Sequence, residues 1–241
     1  MKWEKALNKE KNMKKIISLI LALSFVFALA ACGKGEQSEN LTKRTVSQTE
    51  NSDGETQNTQ PVNTDGKKIL VIYFSSANTA DVDAVSSATP SFNGQGSTEY
   101  LANYIHSKTG GDIAKITPVK DYPLSYSDCA DAAKAERDND ERPEFQKLSV
   151  NPEDYDVVFI GYPMWWYTLP MLLYTFFDMY DFGGKTIIPF NTHEGSGDGG
   201  TYDEIREFEP DATVLEGLAV RGGNADRAAG DVDEWLEGLN Y

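Results

Sequence analysis

Seven consecutive residues, Gly161-Tyr162-Pro163-Met164-Trp165-Trp166-Tyr167, set two of the four tryptophans of this 241-residue chain side by side. Rings of this size offer contact area and shape rather than proton chemistry. Clustered so closely, they cover something flat or they cap a hydrophobic core, and the residues alone allow both. Titratable side chains of the kind that move protons are scarce by comparison. There are two histidines, and His193, in the run Thr192-His193-Glu194-Gly195, is better placed for a site than His106, which falls on a helical pattern and is expected at the surface.

The elements that must position these residues are legible from apolar periodicity. Tyr155 to Ile160 is a short apolar run of the type buried on both faces of a parallel sheet, so the aromatic cluster follows that strand's carboxyl end. In open α/β sheets ligands bind at this edge, where strand order reverses. Lys67 to Phe74, Asp112 to Thr117, Lys185 to Phe190 and Ala212 to Val220 bring the strands to five. Between them, Ser97 to Lys108 places Leu101, Tyr104 and Ile105 on one face behind a capping-type serine and stops at Gly110-Gly111. Pro170 suits a first helical turn, with Leu169, Leu172, Leu173, Phe176, Phe177 and Tyr180 as its core stripe. Cys129 to Asp140 predicts another helix, and Val232, Trp235, Leu236 and Leu239 mark the last. Strands alternating with helices predict an α/β domain, a doubly wound five-stranded parallel sheet.

Before this domain stand four lysines between Lys9 and Lys15, then an apolar stretch from Ile16 to Ala31, the pattern of a secretory signal peptide over residues 1–31. Its end, Leu29-Ala30-Ala31-Cys32, resembles the bacterial lipobox, which implies lipidation of Cys32, an extracytoplasmic location and a membrane anchor made only by that lipid. Met13-Lys14-Lys15 also resembles a start, so translation from either Met1 or Met13 fits. Gly33 to Gly66 has no aromatic residue and almost no aliphatic one, and residues 32–66 are expected to form a lipid-bearing disordered tether with a reach of about 30 Å. Residues 67–241 make the folded domain. Six lysines and two glutamates leave with the leader, which moves the formal net charge from −16 to −20. Such acidity disfavours nucleic acid and anionic lipid as direct partners and favours encounter with basic proteins. With Cys129 the single cysteine besides Cys32, neither a disulfide framework nor a cysteine metal site can be built.

From Lys68 to Leu239 the chain resembles the flavodoxin family, in particular a flavodoxin-like branch that reads Tyr-Phe-Ser after the first strand and Gly-Tyr-Pro-x-Trp-Trp after the third. Here these are Tyr73-Phe74-Ser75 and Gly161 to Trp166, supported by Tyr174-Thr175-Phe176-Phe177, Gly184 to Phe190 and Thr192 to Ser196. The resemblance implies strand order 2-1-3-4-5, flavin mononucleotide (FMN) as cofactor and electron transfer as the activity. It also implies that Pro163, Met164, Trp165 and Trp166 lie against the flavin ring, with Thr192, His193, Glu194 and Gly195 closing the opposite edge. His193 would then bond the ring or simply stabilise its own loop. Gly195 to Gly200 has no Gly-x-Gly-x-x-Gly at the head of a βαβ unit and is expected to be a flexible rim.

An FMN phosphate needs backbone amides and hydroxyls above the first strand, near a helix N-terminus. Ser75, Ser76, Asn78 and Thr79 are the candidates, in a loop one residue shorter than the family's Ser-x-Ser/Thr-Gly-Asn-Thr and without its glycine; a serine-rich turn with local bonds is the alternative. Ala80 to Gly96 is an insertion, expected to bulge outward and let Ser97 and Thr98 return to the phosphate, with Ser97 both capping and functional. Within it, Asp83 to Thr89 resembles the signature at which exported flavoproteins bind FMN covalently, with Thr89 as the attachment residue and Ser87 in place of the usual glycine. The rival readings are an FMN-dependent NAD(P)H:quinone or small-acceptor oxidoreductase, and a binding module that has lost flavin. Neither a catalytic side chain nor a metal is expected, since flavin carries the chemistry.

Overall fold

The computed structural model describes residues 66–76 and 95–241. The leader, Cys32, the tether, Asn78, Thr79 and Thr89 lie outside the described residues. Among the described residues, six strands form one sheet: β1 (Ile69–Tyr73), β2 (Asp112–Lys115), β3 (Val157–Pro163), β4 (Thr186–His193), β5 (Thr213–Val214) and β6 (Leu218–Arg221). All pairs are parallel, and the order is β2-β1-β3-β4-β5 with β6 also on β4. The connections contain α1 (Ser97–Thr109), α2 (Tyr126–Asp138), α3 (Met171–Met179), α4 (Thr201–Phe208) and α5 (Ala229–Gly238). Strand order reverses between β1 and β3, so the carboxyl ends of those two strands diverge into a crevice.

Period-two alternation sorts the side chains onto two faces. Leu70, Ile72, Val158, Ile160 and Tyr162 meet Cys129 and Ala133 of α2, Leu172, Leu173, Phe176 and Phe177 of α3, and Tyr202 and Ile205 of α4. Ile69, Val71, Tyr73, Val157 and Phe159 meet Leu101, Ala102 and Ile105 of α1, and Val232 and Leu236 of α5. Every residue of β3 is buried, which is why its sequence is continuously apolar up to Gly161. Gly161 itself is a space requirement: a Cβ there would lie 2.2 Å from Cζ of Phe190, its partner in the β3–β4 register.

The sequence reading needs four corrections. The fifth strand, expected over Ala212 to Val220, is broken into β5 and β6. Leu215 N donates to Ile187 O, so alternate residues of β4 face that neighbour, and Pro189 faces it with no N–H to give. The N-cap of α1 is Gly96, not Ser97, which occupies the first helical position fully buried. Pro170 is likewise the N-cap of α3, rather than a residue of its first turn. Finally, α4 was not among the expected helices; Tyr202, Ile205 and Phe208, three apart, give it an apolar stripe that starts just beyond the glycine run.

Candidate functional site

The exit of β1 is built by continuation of its ladder. Phe74 N donates to Gly161 O at 2.9 Å, with Phe74 fully buried beneath, and Ser75 and Ser76 follow. They line a cleft of about 100 Å³ together with Phe74, Lys115, Thr117, Pro118, Asp121 and Tyr122, so one carboxylate as well as one lysine faces it. The Ser76 Oγ is buried and has no hydrogen-bond partner among the described residues. An orphaned buried hydroxyl costs about 1–3 kcal/mol, a cost that an oxygen-rich ligand at this spot would remove. Lys115 offers no free cation to that ligand, because its Nζ is 2.9 Å from Glu99 Oε2. Ser97 and Thr98, at the head of α1, are both buried. Thr98 Oγ1 lies 2.7 Å from Thr192 Oγ1, so Thr192 braces α1 against β4 rather than presenting its hydroxyl at the site's edge.

The exit of β3 corrects the reading of the paired indoles. Trp165 is only 7% exposed and stands edge-on to Phe74 and Tyr122, with centroids 5.3 and 4.8 Å away and interplanar angles of 86°. It caps the core. Trp165 and Thr168 exchange backbone hydrogen bonds of 3.2 and 3.1 Å around Trp166 and Tyr167, whose φ angles are +51° and +63°. This is a two-residue turn with both central residues left-handed, a geometry that ordinarily selects Asn-Gly. Trp166 turns away from Trp165: its Nε1 donates to Ala130 O of α2 at 2.8 Å, and the Arg137 guanidinium lies 5.4 Å from its ring. On the other side Thr168 donates to Glu204 at 3.0 Å, and the Tyr174 hydroxyl donates to the same carboxylate. Burial and then the Glu204 charge push the Tyr174 phenol well above its ordinary range, so it remains a donor.

The exit of β4 is polar and glycine-rich. His193 Nδ1 accepts from Gly195 N at 2.9 Å, the local loop bond. Burial pulls its pKa below the ordinary value, which leaves the ring neutral with its proton on Nε2. Glu194 accepts from Arg221 at 3.3 Å. The stretch from Gly195 to Gly200 is tethered, contrary to the expectation of a flexible rim. Asn191 Nδ2 donates to Gly197 O at 3.0 Å, Thr201 Oγ1 to Asp198 O at 2.6 Å and Gly200 N to Asp198 Oδ2 at 3.1 Å. The two exits meet twice. Met164 N donates to Thr192 O at 2.7 Å, and Gly199 approaches Met164 and the Tyr167 carbonyl so closely that a Cβ would stand 3.3 Å from Met164 Cε.

A sequence profile described as flavodoxin matches residues 68–239, the whole domain just described. The chain belongs to the flavodoxin family. A candidate flavoprotein from Bacteroides eggerthii, known from its crystal structure, is 28% identical, with a TM-score of 0.56 over 71% of this chain and 97% of that one. A second, from Bacteroides uniformis, is 26% identical, with a TM-score of 0.56 over 71% and 99%. A Lactobacillus acidophilus flavoprotein crystallised in complex with FMN is 20% identical, with a TM-score of 0.48 over 67% and 98%. A search of curated proteins gave no match.

In this member of the flavodoxin family, the expected residues therefore divide. Ser75, Ser76, Ser97, Met164, Trp166, His193, Glu194 and Gly195 follow or flank the carboxyl ends of β1, β3 and β4, where the sequence reading put them. Pro163 ends β3 inside the sheet, Trp165 belongs to the core, and Thr192 is spent on Thr98. Tyr167, beside the paired tryptophans and outside the expected set, is 75% exposed, with no side-chain hydrogen bond or ring contact to the described residues.

Proposed function

We propose that this protein binds FMN at the carboxyl edge of its sheet and serves as an electron-transfer lipoprotein. Ser75 and Ser76, with Ser97 at the amino end of α1, would hold the phosphate end. The loops after β3 and β4 would enclose the ring. The observation that carries the reading is the buried Ser76 Oγ, without a partner among the described residues, at the top of β1, beside the point where strand order reverses. Hydroxyls and helix-terminal amides suit a phosphate dianion without a cation, which matches a site whose nearest lysine is already paired. FMN supplies one- and two-electron transfer when bound. The chain's own contribution is to bind it, to keep water from it with Met164 and the aromatic turn, and to keep His193 neutral beside it.

In this reading, the leader and Cys32 place the domain outside the cell membrane, anchored by lipid alone, with the tether giving it reach. The charge of −20 left after leader removal steers a basic redox partner, a rate effect that weakens with salt. Incubating the full-length protein with FMN and removing free cofactor by gel filtration tests the central claim. Flavin absorption bands that elute with the protein are the expected result. Protein that elutes colourless, with free FMN recovered quantitatively, would overturn it.

A further inference from the structure

The cleft at the exit of β1 has one ammonium group on its wall, that of Lys115, together with the buried Ser76 Oγ that lacks a partner among the described residues. Lys115 is the last residue of β2, in register with Tyr73 of β1, and its Nζ lies 6.0 Å from the Tyr73 ring. The same Nζ donates to Glu99 Oε2 at 2.9 Å, from partly buried positions on both sides. Glu99 stands in the first turn of α1, where its charge opposes any dianion held near Ser97. Burial and then the Glu99 charge push the Tyr73 phenol well above its ordinary range, so it stays protonated beside the carboxylate. Strands β1 and β2 and helix α1 thus fix one ammonium against the cleft. It has more to give than the ion pair uses: an ammonium carries three donors, and Glu99 Oε2 accepts one. Asp121, the other charged residue on the cleft, is exposed and screened by water.

We propose that Lys115 makes this site select a flavin carrying a phosphate monoester over a phosphate-free one, by offering the phosphate a hydrogen-bond donor whose charge Glu99 already balances. The proposal rests on the binding of FMN and narrows it to a ligand class. It gives the two halves of the ion pair opposite effects. Lys115 attracts the phosphate, whereas Glu99 holds Lys115 in place and moderates the attraction. Removing Lys115 takes away the donor and also leaves the Glu99 carboxylate uncompensated near the phosphate. Removing the Glu99 charge leaves the ammonium uncompensated, which favours the phosphate. An ion pair that only braces α1 against β2 has no such asymmetry, because the loss of either half strands the other.

The asymmetry gives the test its sign. FMN and riboflavin, which lacks the phosphate, are titrated into full-length native, Lys115→Met and Glu99→Gln proteins, with flavin fluorescence as the readout. Lys115→Met is expected to bind FMN about 10- to 100-fold more weakly, the range for losing a hydrogen bond to a charged group, with riboflavin affinity within about twofold of native. Glu99→Gln keeps an acceptor for the ammonium and is expected to bind FMN about 2- to 5-fold more tightly, the scale of one partly exposed charge pair. Should Lys115→Met fail to fold, the sign of the Glu99→Gln change decides. If native protein binds FMN and Lys115→Met binds it equally well, the selective role is overturned while the FMN reading stands. If both variants weaken FMN binding alike, or a folded Lys115→Met loses FMN and riboflavin in equal proportion, the pair belongs to the packing and the proposal is again overturned. If native protein binds no FMN, both readings fall.

Discussion

The exits of β3 and β4 solve one backbone problem with opposite residues. Both run through left-handed φ, at Trp166 and Tyr167 after β3 and at Gly195, Gly197, Gly199 and Gly200 after β4. After β4 the residue is glycine each time, the choice that carries no steric cost, and the stretch is held by bonds from Asn191, Thr201 and Asp198 to its own backbone. After β3 two aromatic side chains are kept in the same conformation, held from outside by α2 and α4. Where glycine suffices, only the path of the chain matters. Where a large ring is retained against its own sterics, the ring itself matters. The β3 exit is thus a fixed aromatic wall, and the β4 exit is a backbone-lined edge able to approach it closely.

The largest effect that would break this contrast is Trp165→Ala. If the β3 exit is fixed because Trp165 is built into the core between Phe74 and Tyr122, truncation should cost about 3–5 kcal/mol of stability, measured by urea denaturation. A loss below about 1 kcal/mol would mean that the wall does not depend on that ring. A smaller effect sharpens the other side. Gly199→Ala meets both a φ of +57° and Met164 Cε at 3.3 Å, and should cost about 1–2 kcal/mol. Met164 ends in a flexible thioether, so most of that cost is backbone strain, and a Gly199→Asn variant, whose residue tolerates left-handed backbone better, should recover part of it.

What the sequence disclosed, and what it hid, follows the same physics. β1 and β3 are buried on both faces, so their unbroken apolar runs announce strands, and the helices of the central layers show their stripes. The strand order came from the flavodoxin resemblance and agrees with the sheet. The break between β5 and β6 was hidden because it arises from the neighbour, Pro189 of β4, and not from residues 213–220. Helix α4 was hidden behind a glycine run that looks like a loop until Asp198 and Thr201 are seen closing it. That the aromatic and hydroxyl residues fall at the exits of β1 and β3 was legible from the strands before them. Which indole faces inward was not, since adjacent residues of identical type are sorted only by the turn between Trp165 and Thr168. That Thr192 would turn to Thr98, 94 positions away, is likewise written in no local pattern.

The smallest effect concerns His193, the one titratable side chain at the β4 exit with a lowered pKa. Burial depresses it, and Arg221 adds to that, while Glu194 and Asp198 oppose it. In the unfolded chain this histidine takes up its proton near pH 6.5. In the fold it does so only at lower pH, because Nδ1 is engaged with Gly195 N and the ring is partly desolvated. Between the two values the unfolded state binds more protons, so stability is complete above the unfolded pKa and declines as pH falls toward the folded one. His193 is partly exposed, so solvent screening limits the loss to at most about 1 kcal/mol. Comparing native protein with His193→Gln by urea denaturation from pH 7.5 to pH 5 isolates it, since every other titratable group is common to both. Native protein should lose stability relative to the variant across that interval. A difference independent of pH would mean that the imidazole is as well solvated in the fold as outside it, and that the β4 exit is more open than its hydrogen bonds imply.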